Sequence, residues 1–248
     1  MRQFDQTRIL HLREKLKADD SILRVLEEGI APVRAHYRIP ETGIATWGGF
    51  YACPTHSVVL EFDIENPHAY RCPVDGEIFT GEPYEGAWWR HLNSANATAC
   101  HYAALRYLLL SEAEDLQLAR QILVDYATRY PGYEVHGGIP YNNPGKANAQ
   151  TLCDAMWLRQ LAAGYDIVRD ALSEQDRTLI DRDLLRCGAD FLITQRSNQI
   201  HNHECIADSA IAVIGLLLGE EKYLRFGLDE PYGLQYQLTH GTLDDGFW

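Results

Sequence analysis

The sequence predicts a mainly α protein: an incomplete α/α toroid, a barrel of antiparallel helix hairpins, with a small Cys/His-containing irregular or β module inserted near the N-terminus. Three observations lead there. From Trp88 onward, long segments carry apolar residues at helical spacing. Short breaks separate them, which makes neighbouring helices antiparallel. Loops rich in Gly, Asn and His recur between them, as at one end of a toroid. A plain bundle is the simpler alternative, and five or six long helices complete only part of a ring.

Taken in order, residues 5–37 place Ile9, Leu10, Leu12, Leu16, Ile22, Leu23, Val25 and Leu26 at helical spacings, with a break at Ala18-Asp19-Asp20-Ser21. Residues 40–83 turn to Gly, Pro, Cys and His, with the short alternating run Ser57-Val58-Val59-Leu60-Glu61-Phe62. A helix is expected over 90–110. Ser111 and Glu114 have capping-box spacing for the next, which stops at Pro131-Gly132. The polar loop 136–145 leads to a helix over 147–169. Ser173-Glu174-Gln175-Asp176 caps another that ends near Arg196. Residues 203–218 form a helix stopped by Gly219, and 229–240 form one more. The expected organisation is therefore N-terminal helices over 1–39, a Cys-Pro module over 40–86 and toroid helices over 87–248.

Charge narrows the function. The 248 residues hold 22 Lys+Arg against 35 Asp+Glu, a formal net charge of −13. That balance argues against a nucleic-acid surface and against polybasic membrane attachment. A polyanionic ligand would require a locally positive pocket. The N-terminus has no apolar run of signal-peptide length, and the longest aliphatic stretch, residues 211–219, is too short to span a bilayer. Six cysteines are too few for a disulfide scaffold. The expectation is a cytoplasmic protein with reduced thiols, its oligomeric state open.

Cys53-Pro54-Thr55-His56 and Cys72-Pro73-Val74-Asp75 repeat one C-P-x-ligand turn. Together Cys53, His56, Cys72 and Asp75 offer four ligands in knuckle spacing for a structural Zn²⁺, with His68 as a substitute for Asp75. Two proline-shaped turns with free thiols are the alternative. Cys100, Cys153, Cys187 and Cys205 fall in helical patterns and read as small core residues.

Three polar clusters stand at helix starts. His201-Asn202-His203-Glu204 precedes a strongly apolar run, where helix N–H dipoles favour an anion. Trp88-Trp89-Arg90-His91 joins aromatics to a cation and an imidazole. Residues 141–150 bring Tyr141, Asn148 and Gln150 before another helix. Aromatic faces with amides, Arg and His suit sugar recognition. For each cluster alone a structural role is the commoner one; Asn202, for example, reads equally as a helix cap.

The pieces CPTHSVVLEFDIENPHAYRCPVDGEIFTGEPYEGAWW, AQTLCDAMWLRQLAAGYDIV, HNHECIADSAIAVIGLLLG and GTLDDGFW, in this order, resemble the heparinase II/III-like polysaccharide lyases, the oligoalginate lyases especially. The resemblance implies β-elimination on a uronate-containing polysaccharide such as alginate oligomers or a glycosaminoglycan. It also implies an Asn-His pair and an Arg on the uronate carboxylate, a Tyr or His as base, and a Tyr protonating the leaving oxygen. Residue by residue, Asn202 and His203 match the catalytic pair. Arg90 matches the arginine, and His201 is an alternative to His203. In that family the Tyr follows a continuation of Gly246-Phe247-Trp248, so the expectation is a fragment, inactive alone, lacking the Tyr and the C-terminal β-sheet domains. Relatives of this kind carry a Cys where Asp75 stands.

Two other classes compete. An α/α-barrel glycoside hydrolase would take two opposed carboxyls from Glu204, Asp208, Asp244 and Asp245. A non-catalytic sugar-binding scaffold would bind without turnover. No phosphate-binding glycine motif and no organic cofactor are expected.

Overall fold

The computed structural model describes residues 5–137, 143–244 and 246. It is mainly helical. Helices α1 (Gln6–Leu16) and α2 (Ser21–His36) break where the sequence does, and Asp5 caps α1 by accepting from the Arg8 N–H at 2.7 Å.

The segment between α2 and α3 is short of regular structure. Strands β1 (Tyr70–Arg71) and β2 (Ile78–Phe79) pair antiparallel, Tyr70 opposite Phe79. The alternating run at 57–62 contributes only isolated bridges, Ala52 to Val59 and Glu61 to Arg71. The module is fastened to the helices by Trp88. Its indole N–H donates to the Asp63 carbonyl at 2.9 Å, and its ring is wholly buried.

The helical body follows: α3 (Tyr84–Leu110), α4 (Ala113–Arg129), α5 (Thr151–Val168), α6 (Glu174–Leu179), α7 (Cys187–Thr194), α8 (Asn202–Leu218), α9 (Glu221–Leu228) and α10 (Leu234–Gly241). A π-helical stretch, Ile180–Arg186, makes α6 and α7 one continuous rod. Packing runs in two layers. α3 lies against α5 and α5 against α8, while α4 lies against the α6–π–α7 rod. α9 folds back on α8 through two close approaches. A Cβ on Gly227 would meet the Asp208 carbonyl at 2.5 Å, and one on Gly215 the Leu224 nitrogen at 2.8 Å.

Several expectations shift. Ser111 does not open α4. It closes α3 in the left-handed region, with φ 63° and its N–H on the Tyr107 carbonyl, and Glu112 precedes α4 without a side-chain cap. The Ser173 cap holds, accepting from the Asp176 N–H at 3.1 Å. Gly219 ends α8 at φ 70° as its position predicts. The expected helix over 229–240 begins only at Leu234, as α10, and α9, which precedes residue 229, is a helix outside those the sequence predicts.

Among the described residues, no helix is long and apolar enough to cross a membrane. Polar groups inside the body dock loops onto helices. Fully buried Asn93 donates to the Ala147 carbonyl at 2.7 Å and accepts from the Tyr126 hydroxyl at 2.7 Å. Asn96 donates to that hydroxyl and to the Arg38 carbonyl.

Candidate active site and metal centre

Two turns of one design build the metal-ligand cluster. In the first, the Ser57 N–H bonds the Cys53 carbonyl and the Cys53 N–H bonds the Val58 carbonyl, both at 2.8 Å. In the second, Gly76 N–H to Cys72 carbonyl (3.0 Å) and Cys72 N–H to Glu77 carbonyl (2.8 Å) repeat the pattern. Ser57 and Gly76, each four residues past its cysteine, adopt positive φ. Each turn thus aims a thiol inward, and the cluster forms where the two meet.

Cys53 Sγ, His56 Nδ1 and Cys72 Sγ lie within 4.8 Å of one another. The two S···N separations are 3.4 and 3.5 Å. A tetrahedral Zn²⁺ with Zn–S of about 2.3 Å and Zn–N of about 2.0–2.1 Å sets such edges at about 3.5 Å. These residues therefore fit a metal. Asp75 Oδ2 stands 3.7 Å from the same nitrogen, at the edge of the three-residue cluster and outside it. His68 is no substitute. It is largely exposed and faces Glu85 at 3.5 Å.

The second cluster lies where α8 begins. His201 is the N-cap, its Nδ1 accepting from the His203 N–H at 3.2 Å, so the cap is His201 and not Asn202. The two imidazoles meet edge to face at 4.4 Å. Burial, then the neighbouring His201, hold His203 below the ordinary histidine range, which favours its neutral form. Asn202 is exposed, and its carboxamide has no hydrogen-bond partner among the described residues.

Beneath exposed His201 and Asn202 and half-buried His203 lies a buried clamp. Glu204 Oε1 accepts from the Ser197 N–H and hydroxyl. Arg196 donates to Asp208 and to the Phe226 and Pro231 carbonyls, each at 3.0 Å, with Cζ 3.6 Å from the Phe226 ring centroid. Gln237 of α10 accepts from the His201 N–H and donates to the Gln199 and Tyr232 carbonyls. The segment 196–201 is held from three helices. Burial raises the Asp208 carboxyl to about 7 against the lowering pull of Arg196.

The loop before α5 comes alongside, since the Asn143 carboxamide donates to the Gln195 carbonyl. Asp154, fully buried, is its hub. It accepts from the Lys146 N–H, the Asn148 N–H and the Asn148 side chain, and burial raises it to about 6 despite those donors. Asn148 is consequently a buried loop brace. Its Oδ1 alone lacks a partner among the described residues. Gln150 is nearly buried and accepts from Cys153 at 3.4 Å. Tyr141 lies outside the described residues.

Arg90 emerges elsewhere. It lines a cavity of about 510 Å³ between α3, α5 and α8, together with His101, Cys153, Arg159 and Gln160. Arg90 and residues 201–203 share no hydrogen bond or ion pair among the described residues. α8 nevertheless spans both places, through Asn202 at its start and Val213 in the cavity lining.

Of the expected sugar contacts, Trp88 fails. A ring with no exposed surface has no face to stack on a sugar. Glu204 and Asp208 do not form the opposed carboxylate pair of a hydrolase, because they sit together in the buried clamp and not across a cleft. Asp244 is exposed, and Asp245 lies outside the described residues. Arg159, His101, Gln160, Arg196 and Gln237 were passed over in the sequence because they stand inside helical or loop patterns. One signal was there. Met156, Gln160 and Ala163 follow Cys153 at helical spacing with Arg159 beside them, a half-polar stripe on an otherwise apolar helix.

No protein-family model matches the chain. An alginate lyase from Stenotrophomonas maltophilia (strain K279a) is 32% identical over 160 residues, covering 62% of this chain and 22% of that protein. An exo-oligoalginate lyase from Saccharophagus degradans (strain 2-40) is 28% identical over 171 residues, covering 66% of this chain and 23% of that protein. The matched region is thus under a quarter of the length of either relative. In sequence, this chain is similar to these two alginate lyases.

Proposed function

We propose that this chain serves a polysaccharide lyase that cleaves a uronate-containing polysaccharide, alginate oligomers or a glycosaminoglycan, by β-elimination. The observation that carries the reading is the pair of exposed Asn202 and half-buried His203, set on a buried clamp, in a chain similar to two alginate lyases.

In β-elimination the C5–H bond and the C4–O bond break, a C4=C5 double bond forms, and the departing C4 oxygen takes up a proton. Negative charge spreads onto the uronate carboxylate as the C5 proton leaves. Fixed donors at that carboxylate lower the barrier. The free carboxamide of Asn202 supplies one. Neutral His203 supplies a second N–H and keeps a lone pair on its other nitrogen. His201, whose Nδ1 is engaged by the His203 N–H, presents Nε2 to solvent as a further contact. Gln150 and Arg90 are assigned to substrate binding. The base is assigned to a tyrosine or a histidine and the proton donor to a tyrosine, as the family resemblance implies.

The same reading makes the helical body part of an α/α toroid in the heparinase II/III-like manner. The alternation of α3, α5 and α8 in one layer with α4 and the α6–π–α7 rod in the other supports it. The Cys53, His56, Cys72 and Asp75 cluster is assigned a structural Zn²⁺. With four protein ligands the metal's contribution is to fold the module, not to activate water.

The test is product analysis with the full-length protein and oligomannuronate. A lyase yields products with an unsaturated non-reducing end, each one water lighter than the hydrolytic product and bearing a vinylic proton. Saturated ends would make the protein a hydrolase instead.

A further inference from the structure

The cavity between α3, α5 and α8 carries the opposite sign of charge from the chain as a whole. Arg90 reaches it from α3 and Arg159 from α5, and none of the described residues lining it is a carboxylate. Neither arginine forms an ion pair among the described residues. Arg90 donates to the Ser94 hydroxyl, and its Nε is buried without a partner. Arg159 donates to the Ser209 hydroxyl of α8 at 3.4 Å, a long bond that leaves most of its fork unused. Two guanidiniums without counter-charge, in a concavity of a protein of net charge −13, focus a positive potential there.

We propose that this cavity is a carboxylate-binding subsite for an acidic oligosaccharide, with Arg90 and Arg159 as its charged contacts. Guanidinium groups match a carboxylate's two oxygens in a bidentate pair, which an ammonium does not. Gln160, whose carboxamide donates to Thr98 at 3.0 Å, and His101, kept neutral by burial, supply uncharged polar contacts for hydroxyls. Met156 adds apolar surface for a sugar face.

The identity of the sugar rests on the lyase reading, and α8 connects the two. Asn202, Ile206, Ser209 and Val213 share one helix face at i, i+4, i+7 and i+11. At 1.5 Å per residue, Ser209 lies about 10 Å along the axis from Asn202. An oligouronate reacting at Asn202 therefore extends along α8 toward Arg159, and its further carboxylates enter the cavity.

The experiment is calorimetric binding of saturated trimannuronate to the full-length protein, with β-1,4-mannotriose as the carboxylate-free comparison. Trimannuronate is expected to bind and mannotriose to bind far more weakly. Arg159→Gln should weaken trimannuronate binding by about tenfold to a hundredfold, the loss of a charge-assisted pair, and Arg159→Lys should recover part of it. Met156→Glu, at a position already 46% exposed, adds a carboxylate to the lining and should weaken binding without unfolding the protein. Equal binding of the two sugars, or an unchanged Kd in both Arg159→Gln and Met156→Glu, overturns the subsite. Its failure and that of the lyase reading are separable. Saturated products with Arg159-dependent binding would leave the subsite standing and remove the lyase. Unsaturated products with Arg159-independent binding would do the reverse.

Discussion

Glu204 Oε1 accepts both the backbone N–H and the hydroxyl of Ser197, at 3.0 and 2.6 Å, and so ties the first turn of α8 to the segment that delivers His201 and Asn202 to the surface. Glu204 also neighbours Arg196 at 3.8 Å with both side chains almost wholly buried. Glu204→Ala leaves the half-buried N–H and hydroxyl of Ser197 without their acceptor and removes one counter-charge of a buried guanidinium. The expected loss is about 2–4 kcal/mol, read as a lower urea midpoint. Glu204→Gln keeps one acceptor and should lose less. If Glu204→Ala is as stable as the parent, the clamp does not hold the site.

Asp208 sets a pH dependence of stability. Folding raises its carboxyl from an ordinary 3.8 to about 7, through burial first. Between those values the folded protein holds a proton that the unfolded chain has released. Stability from this group is therefore greatest near pH 4 and falls as pH rises to about 7. At about 1.4 kcal/mol per unit, the full span is about 4 kcal/mol. Asp208→Asn cannot ionise and still offers Arg196 an acceptor. Urea midpoints between pH 4.5 and 8 should fall more steeply for the parent than for the variant, and parallel curves would refute this.

The metal cluster predicts a stoichiometry. Protein purified without chelator should carry one zinc per chain by elemental analysis, and Co²⁺ exchanged into it should show thiolate-to-metal charge transfer. Cys53→Ser or Cys72→Ser should abolish that absorption and lower the melting temperature. Chelator should reproduce the loss in the parent and change little in the variants. A parent that folds equally well with and without metal would return these cysteines to the role of turn residues.

How much of this the sequence carried depended on the range of the interactions. The repeated C-P-x-ligand turn was legible because each knuckle is closed by bonds four or five residues apart. Gly219 and Ser173 were legible for the same reason. Ser111 misled because its capping-box spacing to Glu114 competes with the end of α3, and the left-handed stop prevailed. Trp88 was misplaced because an aromatic at a helix start looks alike whether it faces sugar or core; the Asp63 carbonyl 25 residues earlier decides it. The clamp and the cavity were illegible. Arg196 meets Phe226 and Pro231 across 30 and 35 residues, and Arg159 meets Ser209 across 50, so no local window contains either.

Asn202 is the most direct point of attack on the chemistry. Its carboxamide is free, exposed and one residue from a capped histidine, so Asn202→Ala removes a donor without disturbing the clamp. The decisive measurement is ultraviolet-monitored turnover of oligomannuronate by the full-length protein beside its Asn202→Ala variant. The expected result is growing absorbance of the conjugated unsaturated uronate, with kcat reduced about 10²–10³-fold in the variant, the usual cost of one donor at a developing oxyanion. Absorbance that does not grow while the substrate is consumed, or a variant as fast as the parent, would contradict the account.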